Sequence, residues 1–248
     1  MKLHVFNTTE GVIKNLAGFF VEVVNDSISR KGGCTIVLSG GSSPKKLYEL
    51  LTTSSYRSKI NWKKIWFFFG DERYVHFSDH ENNGRMAKRS LFDPLQIDES
   101  NIFYIDTSLP PGDAAKDYGQ KIKKHFNEHP GQFDLILLGL GDNAHTASLF
   151  PYTEVIHEEK ALVSAPYIEE LNAYRITMTP AALKNSLNIA FLVYGKNKAQ
   201  AVYNILKAPV DIDRYPAQVI NEKTAAVNWF LDKAAASMLD TSFISGSS

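Results

Sequence analysis

Three uninterrupted apolar runs constrain this chain most: CTIVL (34–38), IWFFF (65–69) and DLILL (134–138). A strand with one face in water alternates apolar and polar residues. A run without alternation is a strand covered on both faces, the habit of parallel sheets. Helix-length segments lie between and beyond these runs. LHVF (3–6) leads into an amphipathic stretch from Thr8, a natural N-cap, to Arg30, with Gly32 and Gly33 as its stop. Further helices are predicted from Pro44, over 83–92, over 112–127 up to HPG, and near 180–186, 196–207 and 231–239. Shorter strands are predicted at IFYI, ALVSA, YRITM, IAFLVY and AAVNWF. Alternation of this kind implies an α/β fold: a mostly parallel sheet with helices on both faces. No repeat or linker divides the chain, so a single domain is expected over 1–240, with 241–248 as a frayed tail. KAPVDIDRYPAQ (207–218) is irregular enough for a lid or substrate loop.

Ligands of such sheets bind beyond the carboxyl ends of the strands. SGGSSP, GDER and GLGDNAHTASLFP each follow one of the three apolar runs, so all three fall on that edge. In the first, Pro44 suits an opening helical turn, Ser43 is the expected N-cap, and Gly40 and Gly41 let the backbone approach a ligand. Free N–H groups and serine hydroxyls there, including Ser42, make a seat for an anion, most simply phosphate. The loop is neither a Walker sequence nor a G-x-G-x-x-G fingerprint. A tight strand-to-helix turn with an ordinary cap is the plainer alternative.

Asp71, Glu72 and Arg73 end the most apolar run. A solvated loop with a local ion pair would explain them. So would a forked cation, Arg73, placed where negative charge develops on a substrate oxygen, with Asp71 orienting it or a sugar hydroxyl. His145 follows a second glycine loop; a hydrogen-bonded structural histidine is the plainer alternative, and on the catalytic reading it opens a short helix whose N-terminus would keep the ring neutral and able to accept a proton. Arg175 and Lys198 say little singly, but together they would neutralise a phosphate on the serine loop.

Charge and cysteine content narrow the partners. The 27 basic and 27 acidic residues create no global field towards nucleic acid or an anionic membrane, so a charged ligand must be held locally. Cys34 is the only cysteine, which excludes an internal disulfide and suits a reducing compartment. MKLHVFNTTE lacks the apolar core of a signal peptide, and no apolar run is long enough to span a bilayer. A cytoplasmic protein is expected, with oligomerisation open. HFNEH (125–129) imitates a zinc-peptidase motif, but Pro130 turns His129 out of the helix. It reads as a solvated helix end. HFSDH (76–80) lacks further organised ligands, and no metal is expected.

With these residues in view, the chain resembles the family of 6-phosphogluconolactonases and glucosamine-6-phosphate deaminases. The match runs in order through LSGGSSPKKLYELL, FFFGDERYV, NGRMAKRSLF, FDLILLGLGDNAHTASLFP, YRITMTPAAL, IAFLVYGKNKAQAV and PAQV followed by WFLDKAA. The resemblance implies a modified Rossmann-like domain that hydrolyses 6-phosphoglucono-δ-lactone in the pentose phosphate pathway without a cofactor. It implies that Gly40, Gly41, Ser42 and Ser43 hold the phosphate with Arg175 and Lys198, and that His145 activates water. Arg73 would sit near the carbonyl, and Asp71 and Asn83 would contact or organise the sugar. One departure stands out: the family usually has Asp-Gly before the histidine, where this chain has Asn143 and Ala144. Asparagine can fix the ring but lends an imidazolium no full charge, so a lower rate with binding intact is expected. The deaminase reading would need a glutamate where Phe150 stands. A sugar-phosphate sensor that binds without turnover is the remaining alternative.

Overall fold

The computed structural model describes residues 1–220 and 225–240. The tail expected over 241–248 lies outside the described residues. Among the described residues ten strands follow in chain order: β1 (Lys2–Phe6), β2 (Cys34–Leu38), β3 (Ile65–Phe69), β4 (Asp71–Arg73), β5 (Phe133–Leu138), β6 (Val163–Ser164), β7 (Tyr167–Ile168), β8 (Ala173–Met178), β9 (Ser186–Val193) and β10 (Ala226–Asp232). Six form one parallel sheet in the order β1-β10-β9-β5-β2-β3. From β2 the chain winds outward to β3, then returns to the other side of β2 with β5 and proceeds through β9 and β10. The switch point therefore lies between β2 and β5, where an open α/β sheet leaves a crevice.

The apolar runs behave as their lack of alternation requires. In β3, Phe68 packs on Phe103 and His125 while Phe67 and Phe69 pack on Phe92 from the other face. Helix α1 (Thr9–Lys31) packs on the sheet and on α2 (Ser42–Leu51). Its ends fall at the predicted signals: Thr8 accepts the Gly11 N–H, and Gly32 closes the helix in the left-handed region at φ 83°.

A second, antiparallel sheet, β4-β8-β6 with β7 beside β8, was not legible in the sequence. Gly70 joins the two sheets: its N–H donates to Leu38 O, and its carbonyl accepts from Met178 N–H. GDER is thus a strand start held at the carboxyl end of β2, not a free loop.

Four further expectations are corrected. IFYI contributes only an isolated bridge between Ile102 and Phe67. After β10 the chain turns instead of forming a helix, because the Asp232 carboxylate accepts the N–H groups of Gly195 and Ala235. His125 is not solvated: it is 2% exposed, inside the helix Pro111–Glu128, with Nε2 2.9 Å from Thr35 Oγ1. The 207–218 segment is pinned and lines none of the cleft described below. Gln218 donates to Asn204 O and Pro209 O, Tyr152 N–H donates to Asp213 O, and Ala217 N–H donates to Ala144 O.

Candidate active site

A cleft of about 640 Å³ opens at the switch point. Its walls are the three predicted loops, the β8 segment carrying Arg175, and the turn after β9 carrying Lys198. Gly40, Gly41, Ser42, Ser43, Asp71, Arg73, Asn143, His145, Arg175 and Lys198 all line it. A second cavity of about 480 Å³ beside Phe77 and Tyr104 contains none of them. Its lysines are already paired, Lys88 with Asp93 and Glu99, and Lys121 with Asp117.

The serine loop departs from expectation in register. Helix α2 starts at Ser42 with Gly41 as N-cap, and no side chain caps it. Ser43 is therefore the second helical residue and Pro44 the third. Gly41 has φ 101° and ψ 177°, a conformation open almost solely to glycine. The uncapped first turn leaves its N–H groups without an intrahelical acceptor, and its residues Ser42 and Ser43 line the cleft. Beneath it, the Tyr48 hydroxyl donates to Ser39 O at 2.8 Å and accepts from Ser39 N–H at 3.0 Å, which locks the strand end. The role of Gly40 also differs: a Cβ there would collide with the Asn83 amide. Its close approach is to a protein side chain.

Asn83 lies behind the loop, 2% exposed, and does not line the cleft. Its Nδ2 donates to Asp71 O at 2.9 Å, so it ties β4 to the serine loop. Glu72 is buried as well, capping the helix Asn83–Ala87: its carboxylate accepts the N–H groups of Asn83, Gly84 and Arg73. Burial lifts its carboxyl to about 7 despite these donors. It is committed there. Asp71 faces the cleft and accepts the Ser148 hydroxyl at 2.6 Å. Arg73 stands opposite Arg175 across the β4–β8 ladder. Burial, then the neighbouring Arg73, lowers the Arg175 pKa.

His145 sits in a run of turns, not at a helix start. Its ring stacks on Phe150 with centroids 4.1 Å apart and lies against Gly141, where a Cβ would collide with Nδ1. Nδ1 is 2.6 Å from Asn143 Oδ1. Because that oxygen can only accept, the proton belongs on Nδ1 and Nε2 keeps its lone pair. The pKa is pushed down to about 4, chiefly by burial. The expected direction holds, and desolvation is the cause in place of a helix dipole. Ala144 has φ 66°, the conformation that suits glycine at this position.

Lys198 is not free. Its ammonium is 2.5 Å from Asp142 Oδ1, and Asn197 donates to the same carboxylate. Asp142 and Glu170, which meets Asn143 Nδ2 at 3.3 Å, are cleft residues the sequence reading passed over. Asp142 stood in plain view beside Asn143. Glu170 arrives from a distant hairpin with no local signal.

Together these features define a doubly wound α/β protein whose switch-point crevice is lined by an uncapped helix start, by Arg73, Arg175 and Lys198, and by a neutral histidine. The chain matches the profile described as Glucosamine-6-phosphate isomerases/6-phosphogluconolactonase over residues 7–229, and it belongs to that family. It is 37% identical over 204 residues to the 6-phosphogluconolactonase of Haemophilus influenzae, covering 82% of this chain and 87% of that one. The 6-phosphogluconolactonase of Nostoc sp. is 37% identical over 221 residues, covering 87% and 89%. The crystal structure of 6-phosphogluconolactonase from Thermotoga maritima superposes with a TM-score of 0.81 at 29% identity, covering 94% of this chain and 99% of that one.

Proposed function

We propose that this chain hydrolyses 6-phospho-D-glucono-1,5-lactone to 6-phospho-D-gluconate in the oxidative pentose phosphate pathway. The observation that carries the reading is the free Nε2 lone pair of His145 in a cleft shared with an uncapped helix start and three cations. His145 takes a proton from water as that water attacks the lactone carbonyl carbon. Arg73 steadies the oxyanion of the tetrahedral intermediate. When the intermediate collapses, the ring C–O bond breaks and His145 returns the proton to the departing oxygen. The N–H groups and hydroxyls of Ser42 and Ser43, at the Gly40–Gly41 turn, hold the phosphate with Arg175 and Lys198. Lys198 exchanges its Asp142 partner for phosphate. Asp71 faces the sugar hydroxyls, and Asn83 serves the site from behind.

Two features support hydrolysis over deamination. Phe150 stacks under the histidine, and a phenyl ring cannot relay the protons that ring opening and isomerisation require. The relatives at 37% identity are lactonases by name. A cytoplasmic setting fits the single buried cysteine. No helix among the described residues is long and apolar enough to cross a membrane.

A pH-stat assay on freshly generated lactone tests the reading. Acid release above the spontaneous rate is expected, with no ammonia from glucosamine 6-phosphate. Tight 6-phosphogluconate binding without acceleration would make the protein a sensor.

A further inference from the structure

Histidine bases in acyl transfer commonly rely on a carboxylate that holds the correct tautomer. Asn143 cannot supply one, but the structure brings a carboxylate to its other end. The turn Glu169–Leu171 between β7 and β8 places Glu170 at the cleft, on the same hairpin as Arg175. Asn143 Nδ2 donates to Glu170 Oε1 at 3.3 Å, while Asn143 Oδ1 accepts from His145 Nδ1–H at 2.6 Å and from the His145 backbone N–H at 3.3 Å.

An amide donates at one end and accepts at the other, whereas a carboxylate only accepts. Glu170 can therefore bind only the –NH2 end of Asn143, which turns Oδ1 towards the ring. A flipped amide would present a donor to Nδ1. The imidazole proton would then move to Nε2, and the ring would have no lone pair for water. We infer that Glu170 is a positioning residue, acting through the Asn143 amide to hold the tautomer with a bare Nε2. This inference rests on the lactonase reading for its kinetic consequence but not for the tautomer itself. Glu170 is exposed, so its removal does not threaten the core. Asp71 and Asp142 favour protonation of His145, and Lys198 and Arg175 oppose it. Those four set the charge environment, while Glu170 at the –NH2 end, with the His145 backbone N–H at the oxygen end, sets the amide orientation.

The test compares full-length wild type, Glu170→Ala and Glu170→Gln by 15N NMR of the His145 ring, alongside lactone hydrolysis. The glutamine of the second variant can accept at its amide oxygen but can also donate from its –NH2, so E170Q holds the Asn143 amide less firmly than glutamate and should fall between wild type and E170A. E170A should show signal averaging towards Nε2–H. Its kcat should fall about tenfold, the scale of one hydrogen bond to a charged group, with KM within about twofold. An E170A variant with wild-type ring shifts and kcat would overturn the inference. So would an E170A variant whose kcat falls while its ring shifts stay those of wild type, since charge and not amide orientation would then matter. A Glu170-dependent tautomer in a wild-type protein that does not hydrolyse the lactone would support the relay while removing the lactonase reading.

Discussion

Arg73 stands directly opposite Arg175 in the antiparallel ladder of β4 and β8. Like charges in that position repel, and an anion that reaches one enters the field of both. Inorganic phosphate or 6-phosphogluconate should therefore raise the melting temperature of the protein. Arg175→Gln should show a smaller rise, with the unliganded variant about 0.5 kcal/mol more stable than wild type. Thermal scans with and without phosphate check both. An unchanged phosphate shift in Arg175→Gln would mean that this side chain takes no part in anion binding.

Two glycines of the cleft should fail in different ways. Gly41→Ala meets no neighbour but is forced into backbone closed to alanine, at about 1–3 kcal/mol. It should lower stability and raise KM by distorting the first turn of α2. Gly141→Ala places a methyl group against the His145 ring and should lower kcat with little change in KM. Chemical denaturation and steady-state kinetics separate the two patterns.

Ala144 offers the opposite case. At φ 66° it is strained, and Ala144→Gly should stabilise the fold by about 1 kcal/mol despite the greater freedom of an unfolded glycine. Urea unfolding measures this directly, and a destabilised variant would show that packing of the buried methyl outweighs the strain.

Acid should act on stability and rate through histidines. Burial, above all, pushes both His145 and His125 down to about 4 from an ordinary value of 6.5. Between those values the unfolded chain binds protons that the folded protein refuses, so stability falls as pH drops from 6.5 towards 4. Glu72, lifted to about 7 from 4.5, has the opposite slope: it costs stability as pH rises through that range. Melting temperatures of wild type and His125→Met across the window should show a shallower acid decline in the variant. The acid limb of kcat/KM should lie near the low value for His145. Asn143→Asp should move that limb upward and raise kcat, because a carboxylate favours the imidazolium.

Much of the framework was readable from local patterns. CTIVL and DLILL became central strands and IWFFF the edge strand β3, each buried because only a doubly covered strand has no polar face, and α1 ended at its predicted caps. The antiparallel sheet escaped because β4, β6 and β7 are only two or three residues long, too short for a period to show. His125 was misread because its basic neighbours suggested solvent, while its own helical face meets Phe68. In the cleft, all three loops were legible since each follows an apolar run. The partners of the functional groups were not. Glu170 reaches Asn143 across 27 positions, Ser148 reaches Asp71 across 77, and Glu72 turned inward where the sequence suggested a surface acid.

The most direct measurement is the rate of 6-phosphoglucono-δ-lactone hydrolysis by wild type and His145→Ala near neutral pH, with 6-phosphogluconate affinity measured on both. Wild type should exceed the spontaneous rate, and His145→Ala should lose about 10²–10⁴-fold of that acceleration while still binding 6-phosphogluconate. Equal acceleration by the two proteins would contradict the account, because some group other than this imidazole would then be activating the water.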